Sequence, residues 1–140
     1  MRYLLDSNVL SEPTKKHPEP KVVQWLAAHA DNCLVSILAL GEVERGIAKL
    51  PNSRRRQKLA QWFQELADGM ERDGRVILID RALMSFWTEV YNREERLTKR
   101  KPPFVDTMMA ATAEMHGLTM VTRNRKDFPK SLAMINPWDT

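Results

Sequence analysis

The chain has 140 residues, 43% of them hydrophobic and 29% charged, which is enough for one domain with a true core and too little for two. Its single cysteine, Cys33, excludes an internal disulfide framework, and no apolar run nears the ~20 residues that span a bilayer. The net charge of +4 is modest, but it is unevenly spread, with basic runs at Arg54-Arg55-Arg56-Lys58, Lys99-Arg100-Lys101 and Arg123, Arg125, Lys126.

Residues 2 to 5 read as a short buried strand, which Asp6 interrupts too early for a signal peptide. A cytoplasmic protein in a reducing compartment is therefore the expectation. A polar turn and a brief helix near Ser7 to Ser11 follow. Pro18 and Pro20 open a helical stretch, with Val22, Val23, Trp25 and Leu26, that runs to about His29. Leu34-Val35-Ser36 is a short strand, and Ser36 is placed to cap the next helix. There Leu40, Val43, Ile47 and Leu50 repeat at helical spacing until Pro51. Residues 53 to 72 form a long amphipathic helix with Leu59, Trp62, Phe63 and Leu66 on one face, and Gly74 ends it. Val76 to Ile79 is a strand, and a further helix covers roughly Arg81 to Lys99. After Pro102-Pro103, Asp106 opens a helix that is apolar nearly all round and hence central. Thr119 to Thr122 is a strand, and Leu132 to Ile135 is a last one. Strands alternating with helices imply an α/β domain, a mostly parallel sheet covered by helices on both faces.

Three carboxylates interrupt apolar runs: Asp6 after Tyr3-Leu4-Leu5, Glu42 inside Leu38 to Val43, and Asp106 before Met108-Met109-Ala110-Ala111. A fourth polar cluster, Thr122 to Asp127, follows another strand. Ligands of parallel sheets bind beyond the carboxyl ends of the strands, so Asp6 and the Thr122 cluster are expected on one edge. Each carboxylate also has an ordinary reading. Asp6 could cap the next helix, Glu42 could pair with Arg45, and Asp106 could be a helix cap favoured by the dipole. Several carboxylates near a core are costly unless a cation meets them. Oxygen ligands without a His or Cys cluster point to magnesium or manganese. Cations beside such a site suit a polyanionic substrate.

The segments that carry these carboxylates resemble a known family. Leu4-Leu5-Asp6-Ser7-Asn8-Val9-Leu10-Ser11-Glu12 is similar to the opening of PIN-domain ribonucleases, and Leu40 to Ile47, around Glu42, to their second acidic motif. Asp106 to Ala113 with His116-Gly117-Leu118 resembles the third motif, and Val121 to Asn124 with Asp127-Phe128 the fourth. The ending Ile135-Asn136-Pro137-Trp138 is similar to the toxin branch, and the likeness spans residues 1–140 as a single domain. It implies a VapC-type toxin of the FitB-like subgroup, folded as a three-layer sandwich around about five strands. It further implies a divalent-metal-dependent endoribonuclease, a cognate VapB-type antitoxin as partner, and a homodimer.

Carried over by motif, Asp6, Glu42 and Asp106 belong to the metal centre. Asp6 and Asp106 would hold Mg²⁺ or Mn²⁺ directly, and Glu42 would help deprotonate a metal-activated water that attacks the phosphorus. Asn124 stands where many relatives carry an acidic residue, and Asp127, just beyond, is assigned a role through a bound water. Ser7 and Thr122 would orient these groups, with Asn124 as a neutral hydrogen-bonding partner. Arg123 is a phosphate contact or a brace to Asp127. Such chemistry does not need the substrate 2′-hydroxyl, so RNA as substrate comes from the resemblance alone. Two rivals remain: a non-catalytic RNA-binding module of the same fold, and a haloacid-dehalogenase-like phosphatase, which would require a second Asp where Asn8 stands. His17, His29 and His116 show no ligand spacing, and Cys33 reads as a packing residue.

Overall fold

A computed structural model describes residues 1–139. In chain order it contains β1 (Tyr3–Leu5), α1 (Ser7–Ser11), α2 (Pro20–His29), β2 (Cys33–Ser36), α3 (Ile37–Ala48), α4 (Arg54–Arg72), β3 (Val76–Ile77), α5 (Arg81–Thr98), α6 (Phe104–His116), β4 (Thr119–Val121) and β5 (Met134–Ile135). Short 3-10 turns cover Glu12–Thr14, Ala30–Asn32 and Arg125–Asp127. The five strands form one sheet in the order β3-β2-β1-β4-β5, and every pairing is parallel. Among the described residues no helix is long and apolar enough to cross a membrane.

Strand residues alternate between two cores, as the pleat requires. Tyr3, Leu5, Val35 and Val121 face a core completed by α1, α2, α3 and α4, with Trp25, Leu40, Val43 and Phe63. Leu4 and Met120 face the opposite one, built with Leu83 and Val90 of α5 and the apolar face of α6. This is the expected three-layer arrangement. The chain runs outward through β1, β2 and β3 under α1 to α4, then crosses back over the other face through α5 and α6 to reach β4. The order therefore reverses beside β1, and the switch point lies between β1 and β4.

Local chemistry sets the helix ends. The hydroxyls of Ser36 and Ser53 accept from the amides of Leu38 (3.1 Å) and Arg56 (3.2 Å), and Asp80 accepts from Leu83 (2.9 Å). Gly117, at φ +64°, ends α6 in the left-handed conformation that glycine adopts without penalty. Thr107 to Ala113 are all buried, so α6 is the central helix its composition implies. Trp87 donates from Nε1 to the Thr107 hydroxyl (2.9 Å), and Arg93 bridges Glu94 (3.0 Å) and Glu114 (2.8 Å), fastening α5 to α6.

Two strands are shorter than their apolar runs. The run Val76 to Ile79 pairs only through Val76 and Ile77, because β3 is the sheet edge and Leu78 turns outward at 65% exposure. Likewise β5 forms only at Met134–Ile135. Helix α6 begins at Phe104 with Pro103 at its cap, so Asp106 lies inside the first turn and is not the capping residue.

The sheet centre should be the least forgiving place in the molecule. Met120, fully buried between layers, should lose about 2–5 kcal/mol on substitution by alanine. Leu97→Ala, at a side chain 72% exposed, should stay within about 0.5 kcal/mol. Urea melts of both variants against the wild type check the contrast.

Candidate active site

Asp6 leaves β1 at the switch point, where its amide donates to the Val121 carbonyl of β4 (2.9 Å). Its side chain serves two purposes at once. Oδ1 accepts from the Ser7 amide (2.8 Å), capping α1, while Oδ2 accepts from the Thr122 hydroxyl (2.8 Å). Thr122 is fully buried, its amide donates to Ile135 of β5 (3.0 Å), and its Oγ1 accepts from the Asn124 amide (3.0 Å). One hydroxyl thus ties the ends of β1 and β4 to the turn that carries Asn124 and Asp127.

Glu42 and Asp106 reach the same edge from helices. Glu42 projects from α3, which starts directly after β2, and Asp106 from the first turn of α6. Partial burial raises the Glu42 carboxyl above its ordinary pKa. The Asp6 carboxylate adds to the rise, the Ser7 side chain opposes it without closing a full hydrogen bond, and Asp106 adds further. Asp106 is also raised, by burial first, then by Asp127, then by Asp6. The structure therefore brings Asp6, Glu42 and Asp106 within electrostatic reach of one another, and Asp127 within reach of Asp106. Asn124 contributes its backbone to the Thr122 bond, and its side chain is exposed.

Among the described residues no basic side chain forms an ion pair with these four carboxylates; the ion pairs are Lys15–Glu12, Arg75–Asp31, Arg93–Glu94 and Arg93–Glu114. The pairing of Glu42 with Arg45 is thus absent, and so is the brace between Arg123 and Asp127. The Arg123 guanidinium instead sits 4.9 Å from the centre of the Trp138 ring, a cation–π distance.

The donor set is all oxygen, which fits a hard divalent cation. Asn8 lies beside Asp6, its Nδ2 at a marginal 3.5 Å from Oδ2 and its buried Oδ1 without a hydrogen-bond partner, one more oxygen suited to a coordinated water. Among the described residues no three acidic, His or Cys side chains close into a ready-made cage.

Two grooves flank the carboxylates. On the Glu42 side, one of about 260 Å³ is lined by Ser7, Ser11, Val43, Ile47, Leu59 and Trp62. On the Asp106 side, one of about 600 Å³ includes Asp127 together with Arg100, Lys101 and Lys126. Sequence reasoning also overlooked Glu12, which is buried at 3% exposure. Burial pushes its pKa up, but Lys15, the Glu19 amide and Arg123 more than compensate and leave it below the ordinary value. Its Oε2 accepts from the Glu19 amide (2.9 Å), and its Oε1 meets the Lys15 ammonium (2.9 Å) as an ion pair without a directed hydrogen bond. Glu12 thereby braces the turn after α1. The local sequence, Ser11-Glu12-Pro13-Thr14-Lys15-Lys16, is polar and carries no signal of that burial.

Comparisons with known proteins give a consistent picture. The family model for the PIN domain matches residues 3–130. Toxin FitB of Neisseria gonorrhoeae is 28% identical over 137 residues, covering 96% of this chain and 97% of that protein. The VapC ribonuclease Y4jK of Sinorhizobium fredii is 29% identical over 141 residues, covering 97% of each. Among solved structures, FitAB bound to an IR36 DNA fragment superposes with a TM-score of 0.86 at 27% identity, covering 97% of this chain and 95% of that one.

The unbalanced carboxylates make a pH prediction. Glu42 and Asp106 hold a proton more tightly when folded, so their contribution to stability is full below the unfolded pKa. It is lost as pH rises through the ordinary carboxylate range and then through the raised folded values. In EDTA, Asp106→Asn should therefore melt higher than the wild type at pH 7, with the advantage shrinking as pH falls. Thr122→Val, which strips Asp6 of its buried donor, should instead cost about 1–3 kcal/mol. An Asp106→Asn protein less stable than the wild type at every pH would make Asp106 a structural residue.

Proposed function

The chain belongs to the PIN domain family, and from that premise we propose that it is the toxin of a toxin–antitoxin pair, a single-domain endoribonuclease that uses Mg²⁺ or Mn²⁺. The observation that carries this reading is the group of carboxylates without a basic partner at the switch point, two of them with raised pKa. Likeness to a VapC ribonuclease and to toxin FitB, each over nearly the full chain, supports the activity and the biological setting. The phosphatase alternative falls with the family membership.

In the proposed mechanism Asp6 and Asp106 would hold the metal, and Asp127 would act on it indirectly, through a water. When bound, a divalent ion lowers the pKa of its coordinated water and draws charge off the phosphate. Glu42 is raised in pKa yet accessible to solvent, which suits it to accept the proton of the attacking water. Ser7 and Thr122 keep the Asp6 carboxylate in one orientation, a precondition for in-line attack. Asn124 supports the Thr122 hydroxyl, and Arg123 is proposed to meet a substrate phosphate. The partner is a cognate antitoxin, and the groove beside Glu42, whose wall includes Val43, Ile47, Leu59 and Trp62, is a suitable seat for one of its segments. A homodimer is the proposed assembly.

Purified protein should cleave RNA with Mg²⁺ or Mn²⁺ and stop on addition of EDTA. Glu42→Gln should lower the rate by about 10²–10⁴, the usual worth of a general base. Asp6→Asn and Asp106→Asn should be strongly impaired, and Asp127→Asn less so. Undiminished cleavage by Asp106→Asn would sink the proposed centre.

Metal alone should also stabilise the fold. At tenfold excess over its dissociation constant a bound ion adds roughly 1.4 kcal/mol. For a chain of this size that is a melting shift of roughly 2–6 °C. Asp6→Asn should lose the shift, and Tm measured with EDTA and with Mn²⁺ decides. In a bacterial host the wild type should arrest growth, Asp6→Asn should not, and the antitoxin should restore it.

A further inference from the structure

The basic run Lys99-Arg100-Lys101 takes no part in the mechanism above, yet the fold carries two of its members to the site. Arg100 and Lys101, on the turn between α5 and α6, share a groove with Lys126, which lies in the 3-10 turn after β4. The same groove has Asp106 and Asp127 in its wall. All three cations are exposed, and among the described residues none of them forms an ion pair. Glu94, the other acid in the wall, is already engaged by Arg93 at 3.0 Å. The three cations thus form no ion pair in a groove of about 600 Å³ whose wall also holds the carboxylates of Asp106 and Asp127.

The turn that carries Arg100 and Lys101 is ordered. Lys99 ends α5 in the left-handed conformation at φ 57°, its amide donating to the Glu95 carbonyl (2.8 Å). The Thr98 hydroxyl donates to the Glu94 carbonyl (2.8 Å) and meets the Arg100 amide at 3.4 Å. Pro102 and Pro103 then fix the approach to α6. An ordered backbone beneath such charges suits a row of phosphates, because backbone contacts hold a strand in register while reading no base.

We propose that Arg100, Lys101 and Lys126 form a phosphate track that seats the sugar–phosphate backbone of single-stranded RNA next to the scissile bond, on the Asp106 side. The proposal rests on the nuclease reading above and adds the substrate's path to it. These are positioning residues, and they act on binding rather than on the bond-breaking step.

The test is binding of a fluorescent single-stranded oligoribonucleotide, with Ca²⁺ in place of Mg²⁺, across a salt series. Each phosphate contact contributes about −0.7 to the slope of log K against log salt for single strands. Lys101→Ala/Lys126→Ala should therefore flatten the slope by about 1.4 and weaken binding about 25-fold at 0.1 M salt. Arg54→Ala/Lys58→Ala removes the same two charges elsewhere and should stay within about twofold of the wild type. In Mg²⁺ the first pair should raise KM far more than it lowers kcat. Equal slopes for the two double variants, with the wild type still cleaving RNA, would overturn the track and leave the nuclease reading intact. A wild type that neither binds nor cleaves RNA overturns that reading instead. If Lys101→Ala/Lys126→Ala binds RNA normally but loses a glutamate-rich peptide that the wild type holds, the groove serves an acidic polypeptide and the phosphate assignment is wrong.

Discussion

Parallel pairing of β1 with both β2 and β4 puts the carboxyl ends of the three central strands on one edge of the sheet. Everything at the candidate site hangs from that edge. Asp6 follows β1, Glu42 belongs to the helix launched by β2, and Thr122 follows β4. A single buried hydroxyl then joins residues 116 apart in sequence, because Thr122 donates to Asp6 and accepts from Asn124. In an antiparallel sheet these groups would fall at opposite ends, and no local change could reunite them.

The cost of this arrangement is electrostatic. Two carboxyls are raised in pKa, and each feels other carboxylates while no ion pair relieves them. Such a site survives only if the surrounding structure over-determines it. Two separate cores supply that rigidity, one on each face of the sheet. The Trp87–Thr107 bond holds the mouth of α6 one residue from Asp106, and the Arg93 bridge secures the same pair of helices further along. Stability in the layers offsets repulsion at the edge, a common pattern where function needs a strained group.

The flanks of the edge differ in character. The groove beside Glu42 combines Val43, Ile47, Leu50, Leu59 and Trp62 with the uncharged polar Ser7, Asn8, Ser11 and Thr14, whereas the one beside Asp106 carries Arg100, Lys101 and Lys126. A polyanion gains from the second and little from the first, while an apolar peptide segment has the opposite preference. The proposed RNA path and the proposed antitoxin seat follow from that asymmetry. They also share the carboxylates between them, so an occupant of one groove lies close to what the other must approach.

The sequence by itself determined the order of the elements, the mostly parallel sheet and the central α6, apolar nearly all round. Each of these follows from periodicity, caps and breakers that act over a few residues. It also singled out Asp6, Glu42 and Asp106, because a charge inside an apolar run is conspicuous without any structure. Short-range pattern could not say where a strand stops pairing, so β3 and β5 came out shorter than their apolar runs. Nor could it show that Asp6 caps α1 with one oxygen while taking Thr122 with the other, since the two roles compete only on paper. Only the tertiary structure decided the partners of exposed charges: Arg123 went to Trp138 and the neighbourhood of Glu12, and Lys126 joined Arg100 and Lys101. The reason is physical, because burial is written into local hydrophobic spacing, whereas the neighbours of a long charged side chain depend on which distant segments the sheet order brings beside it.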